Sequence, residues 1–192
     1  MSYIEDYGLD SFVRSRLLIL LGLVDTRGQK EAGILKINKE LRYFQYLTDE
    51  KNIEFSPFNL GDVSDDIREN VDELVECGLI DQKPDGSFFL TEDGEEAEKE
   101  VSKDIPTKEK KALAFSKEQL NDLSTDELLG LMYFLLPHTA VHSTEIKRIE
   151  KKKEDLVKSL YHKGKISANT AGKWLNLSKR DIIDNFGLEL AA

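Results

Sequence analysis

The stretch LIDQKPDGSFFL, residues 79–90, constrains the fold more than any other part of the chain. Two short β-prone pieces, residues 79–82 and 87–90, flank KPDG, and Pro84 and Gly86 stand where a type I turn followed by a left-handed glycine needs them. Three helical segments come first. Residues 9–26 are apolar almost all round, through Leu9, Phe12, Val13, Leu17, Leu20, Leu21 and Val24, which is the pattern of a helix buried at the centre of a domain. TRGQKEAG is a loop by composition. Ile37, Leu41, Phe44 and Leu47 recur at helical spacing and predict an amphipathic helix over 34–49. IEFSPFNLGD then supplies a short extended piece and a loop. Ser64 caps a third helix, with Asp65 and Asp66 in its first turn, where the dipole favours negative charge. Ile67, Val71, Leu74 and Val75 form its expected buried face, and Gly78 ends it as a left-handed cap.

Three helices followed by a hairpin is the order of a winged helix. The expected fold is therefore mainly α with a small β-hairpin: an acidic winged-helix-like domain over 1–104, then a helical region over 105–192. TEDGEEAEKEV starts a further, highly charged helix. IPTKEKKALAFSKEQLNDL is a polar connection with some helical content, and the boundary is placed there. Ser124 and Glu127 form a capping box, and the apolar helix behind them is ended by Pro137. A long helix is expected from Ser143, packed through Ile146, Ile149, Leu156 and Leu160, cationic on its other side, and stopped by Gly164.

With 192 residues, 40% of them hydrophobic, the chain has material for one ordinary domain or two small ones. Its net charge of −10 hides a segregation. Residues 146–180 hold 11 Lys and Arg against 3 Asp and Glu, whereas residues 1–145 carry a net charge of −15. Phosphates respond to the local field, screened over about 8–10 Å, so an acidic total does not exclude DNA. The third helix points the other way. Asp65, Asp66, Glu69, Asp72, Glu73 and Glu76 against Arg68 would be repelled by a phosphate backbone, which leaves a protein-binding surface or a plain solvated face.

The longest run without Asp, Glu, Lys or Arg, residues 128–144, is interrupted by Pro137 and falls short of the ~20 residues a membrane span needs. Glu5, Asp6 and Asp10 spoil a secretory signal. The single Cys77 cannot form an internal disulfide and is expected to be a small buried hydrophobe. These features point to a cytoplasmic protein without membrane contact.

The segment KGKISANTAGKWLNLSKRDIIDNFG, residues 163–187, forms a helix-turn-helix pattern. Ser167 caps the first helix, with Ala171 as its small residue. Asn176 and Leu177 make the turn. Ser178 caps the second helix, and Ile182, Ile183 and Phe186 supply its packed face. In DNA-binding versions the start of the second helix enters the major groove, which here offers Ser178, Lys179 and Arg180. Asn169 and Lys173 on the first helix reach phosphates, and Lys151, Lys152 and Lys153 add non-specific attraction. Asp181 and Asp184 count against this reading. The alternative is a helical hairpin that completes a core or docks on a partner.

No catalytic pattern emerges. There is no phosphate loop, dinucleotide glycine fingerprint, nucleophile elbow or Cys–His pair. His138 and His142 are four apart, but Pro137 disfavours a continuous helix and no third ligand is nearby, so neither a metal nor a cofactor is expected. His162 is expected to interact with a helix dipole.

Two stretches resemble known families. LKINKELRYFQYL, FSPFNLGDVSDDIRENVDELVECGLI and FFLTEDG resemble a prokaryotic winged-helix group that includes the YwgA-like proteins and the Panacea antitoxin domain, and STDELLGLMYFLLP resembles a downstream element of some of its members, so that the resemblance covers about residues 35–140. The chain departs from that pattern where Gly61-Asp62 replaces Gly-Pro. Leu160-Tyr161, Gly164-Lys165-Ile166-Ser167, Ala171, Leu175, Leu177-Ser178 and Ile182 resemble a short prokaryotic helix-turn-helix antitoxin family, with Gly172 in place of an alanine and Asn176 in place of a glycine. The resemblances imply a non-enzymatic, antitoxin-like transcriptional regulator. It would touch DNA through the C-terminal unit and a toxin-like partner protein through the acidic domain, and would act as a homodimer because one short reading helix offers little contact. The alternative is a protein-interaction module that binds no DNA.

Overall fold

The structure is a computed structural model that describes residues 7–24, 28 and 30–187. Among these residues it is mainly helical, with ten α-helices and one three-stranded antiparallel sheet. They form two compact units: residues up to 56 with 63–122, and residues 57–62 with 123 onward.

The first unit is built on helix α1 (Phe12–Gly22), buried along Leu17, Leu18, Ile19, Leu20 and Leu21. The helix is shorter than its apolar run suggests. Leu9 is buried ahead of it, Val24 is 57% exposed beyond its end, and Thr26 lies outside the described residues. Arg16 is buried on this helix because Glu109 neutralises it at 2.5 Å and the Phe12 ring lies 4.0 Å from its guanidinium carbon. Helix α2 (Ile34–Thr48) buries Ile37, Leu41 and Phe44, and Asp49 closes it in a left-handed conformation. Helix α3 (Asp65–Glu76) is capped by Ser64, whose hydroxyl accepts from the Ile67 N–H, and buries Ile67, Val71 and Leu74. Two expectations on this helix fail. Val75 is 37% exposed, and Cys77, just past the last helical residue, is exposed as well. The buried stripe runs through 67, 71 and 74, and position 75 lies at its margin.

Strands β2 (Ile80–Gln82) and β3 (Ser87–Leu90) form the hairpin, pairing Ile80 with Leu90 and Gln82 with Phe88. Gly86, at φ +84°, makes the left-handed step. A third strand, β1 (Ala32–Gly33), pairs antiparallel with β3 and gives the order β1-β3-β2. The sequence reading leaves this stretch as a loop, because two residues carry no alternation. Helix α4 (Glu92–Val101) starts from Thr91, whose hydroxyl accepts from the Gly94 N–H at 3.0 Å.

The boundary expected between 104 and 105 falls instead after Asp122. The polar connection is helix α5 (Thr107–Leu120), which belongs to the first unit. Leu113 and Leu120 are fully buried, and Ser116 donates to the Glu40 carbonyl. Lys117 is buried because its ammonium donates to the Leu20 and Lys30 carbonyls, each at 2.8 Å.

In the second unit, helix α6 (Thr125–Leu135) begins with the Ser124–Glu127 capping box and runs into a 3-10 turn at Pro137–Ala140. The single helix expected from Ser143 is two: α7 (Ile146–Lys151) and α8 (Lys153–His162), broken at Lys152. Gly164 ends α8 at φ +69°. Helices α9 (Ala168–Leu175) and α10 (Lys179–Phe186) follow. Leu128, Leu129 and Met132 form the core with Ile149, Leu156, Leu160 and Tyr161. Loop 57–62 joins this unit through Asn59, whose carbonyl accepts from the Ser143 hydroxyl at 2.8 Å and the Thr144 N–H at 3.1 Å. Among the described residues no helix is long and apolar enough to cross a membrane.

Candidate nucleic-acid interface

Helices α8, α9 and α10 hold the basic segment in one piece. Ile166, Ala168, Ala171 and Ile182 are buried between them. The Tyr161 hydroxyl donates to the Gly187 carbonyl at 2.9 Å, and His162 Nε2 lies 2.6 Å from the Phe186 carbonyl. Both contacts sit at the C-terminus of α10, where unpaired carbonyls gather, so His162 meets a helix dipole. Trp174 packs edge-on against Phe134 with ring centres 5.5 Å apart.

The turn between α9 and α10 is tight. Asn176 takes the left-handed conformation at φ 58°, which asparagine tolerates better than most residues. Leu177 donates its N–H back to the Gly172 carbonyl at 2.9 Å. A Cβ on Gly172 would stand 2.6 Å from the Leu177 carbonyl oxygen, so glycine here lets the turn fold against α9. Leu177 is 42% exposed. Ser178 starts α10 as a full capping box: its hydroxyl accepts from the Asp181 N–H at 3.1 Å, and the Asp181 carboxylate accepts from the Ser178 N–H at 2.9 Å. These bonds hold the Asp181 carboxyl below its ordinary value. Its charge is thus engaged at the helix start.

The predicted site residues divide into two groups. Asn169, Lys173 and Lys179 line one open cleft together with Gly172, Asn176 and Leu177. No carboxylate lines it. Lys173 and Lys179 make no ion pair with any described residue, and both are exposed. Ser178 and Arg180 adjoin the cleft. Arg180 is 90% exposed and 3.6 Å from Asp184, a pairing of the solvated kind that contributes little.

Lys151, Lys152 and Lys153 do not line the cleft. They stand at the break between α7 and α8, and two of them are engaged. Lys152 pairs with Asp126 at 2.8 Å, beside Arg148, which pairs with Asp126 at 2.6 Å and Glu145 at 2.5 Å. The bonds from Arg148 and then Lys152 hold the Asp126 carboxyl below its ordinary value. Lys153 lies 3.8 Å from Glu150 and over the Phe134 ring at 5.1 Å. Lys151 is exposed without such a partner among the described residues. The cationic face of residues 146–153 is therefore weaker than its charge count suggests.

Asn176 and Gly172 belong to the cleft, and the sequence reading did not assign them to the site. Asparagine at a tight turn was a readable signal. The close approach at Gly172 was not, because it depends on where Leu177 lies. His138 falls in the 3-10 turn, and among the described residues no group of three His, Cys, Asp or Glu side chains converges.

No protein-family model, no curated protein and no solved structure matches this chain.

Proposed function

We propose that the protein is a non-enzymatic, antitoxin-like DNA-binding regulator whose DNA contact is the cleft between α9 and α10. One observation carries this reading: two unpaired lysines and two asparagine amides line a cleft without a carboxylate, beside the exposed start of a capped helix. Lys173 and Lys179 attract phosphate, Asn169 and Asn176 donate or accept, and Arg180 is free to leave Asp184 for a base edge or a phosphate. The first unit, with its order of helix, strand, two helices and hairpin, is a winged-helix variant in this reading. Its α3 is too acidic to lie on DNA and faces a protein partner of the toxin type.

The test is fluorescence anisotropy of labelled duplex DNA with the full chain across a salt series. Affinity is expected to fall steeply as salt rises. Reversing both charges with Lys179→Glu and Arg180→Glu abolishes binding; unchanged affinity sinks the proposal. A second reading, a protein-interaction module that binds no DNA, draws support from the internal pairing of Arg148, Lys152 and Lys153. It predicts no retention of DNA even at low salt.

A further inference from the structure

The first unit carries an aromatic face that its own core does not use. Tyr43 and Tyr46 on α2 stack with ring centres 5.9 Å apart, and Tyr43 stacks on Phe115 of α5 at 6.3 Å, each pair inclined by 24°. Tyr46 is 48% exposed and Phe115 43%. Beneath them the two helices are fixed side by side by the bond from Ser116 to the Glu40 carbonyl and by buried Leu113, Phe44 and Leu41. The rings therefore stand on a rigid base. Neither tyrosine hydroxyl bonds to a described residue. Burial, and then the neighbouring Tyr46 hydroxyl, push the Tyr43 hydroxyl up, so it stays a neutral donor.

The rim indicates what covers this face. One helical turn before Phe115 stands the exposed Lys111, and one turn after it the exposed Glu118. α5 thus has a cation on one side of its exposed ring and an anion on the other. A strongly charged partner would meet like charge at one end of such a face. A copy of the same face, turned by a twofold axis near Phe115, brings Lys111 of one chain to Glu118 of the other, and the reverse.

We infer that the face formed by Tyr43, Tyr46 and Phe115 is the surface on which two copies of this chain dimerise. α2 and α5 are each about 20 Å long at ~1.5 Å per residue, so the face offers several hundred Å² per copy, toward the low end for specific interfaces. The inference concerns the first unit and stands whether or not the second binds DNA.

Sedimentation velocity of the full chain over about 1–200 µM, the span suited to an interface of this size, tests it. A reversible monomer–dimer equilibrium is expected. Tyr46→Ser and Phe115→Ser each weaken it at least tenfold while the helical circular dichroism is kept. Lys111→Glu weakens it too, and adding Glu118→Lys restores it. In a Cys77→Ser background, Gln119→Cys forms a covalent dimer under a short bismaleimide linker. A monomer at every concentration overturns the inference and leaves the face to a different protein. So does a dimer that ignores the aromatic substitutions and fails to crosslink through position 119.

Discussion

Glu127 is the residue on which the second unit's stability is most directly calculable. Its carboxylate accepts from the Ser124 N–H at 2.8 Å, the Ser124 hydroxyl at 2.8 Å, the Ser159 hydroxyl at 2.5 Å and the Lys163 ammonium at 2.7 Å. One carboxylate thus ties the start of α6 to the middle of α8 and to the residue that follows its end. Burial pushes this carboxyl up, but the bonds from Lys163, Ser159 and Ser124 outweigh it and bring the value from 4.5 down to about 2. At ~1.4 kcal/mol per pH unit, that displacement corresponds to about 3 kcal/mol at neutral pH. Lys163 is 35% exposed, so solvent screens part of its share, and about 2 kcal/mol is the working figure. Glutamine can keep the capping geometry while losing the charge. Glu127→Gln should therefore destabilise the second unit by about 2 kcal/mol at pH 7, and Glu127→Ala by more, since it also removes the cap. Trp174, the only tryptophan, packs within this unit against Phe134, so its fluorescence in a urea titration reports this unit and not the first. The folded-state value lies below the unfolded one. The stabilisation is complete above about pH 4.5 and is lost as pH falls through about 2. The difference between wild type and Glu127→Gln must therefore shrink across that window. A difference below about 0.5 kcal/mol at pH 7, or one that persists undiminished to pH 2, would refute the assignment of this stability to the charge.

Lys173→Ala should weaken DNA binding evenly across sequences and reduce the salt slope in an anisotropy titration by about 1, as expected for one lost phosphate contact. Asp126→Asn releases Lys152 from its internal partner and leaves Arg148 paired with Glu145 alone, so non-specific DNA affinity should rise and its salt dependence should steepen, read in the same titration. Gly172→Ala sets a helix-propensity gain of about 1 kcal/mol against a Cβ placed on the Leu177 carbonyl. Because that backbone is pinned to Gly172, the clash is expected to win by about 1–2 kcal/mol, read as a lower urea midpoint of Trp174 fluorescence.

How legible the fold was depended on whether the deciding interactions were local. The caps were readable because a serine at a helix start satisfies N–H groups two or three residues away, and Ser64, Ser124, Ser167 and Ser178 all do so. The KPDG turn was readable for the same reason. β1 was not, since two residues adopt strand geometry only because β3 offers them a ladder. The end of the first unit was misread because α5 looks solvated in sequence. Its Lys117 is buried through two carbonyls that lie 97 and 87 positions away along the chain, and no local pattern announces such partners. The candidate site divides along the same line. Asn169, Lys173 and Lys179 could be placed from helix phase, because capped helices around a three-residue turn fix which side chains face one cleft. What their charge is free to do could not be placed that way. Lys152 and Lys153 look like Lys173 and Lys179 in sequence, yet Asp126, 26 residues before Lys152, already engages the first, and Glu150 and Phe134 hold the second. A count of basic residues therefore overstates the field available to a phosphate. The partners of each cation, supplied mostly by distant parts of the chain, decide which lysines remain for a ligand.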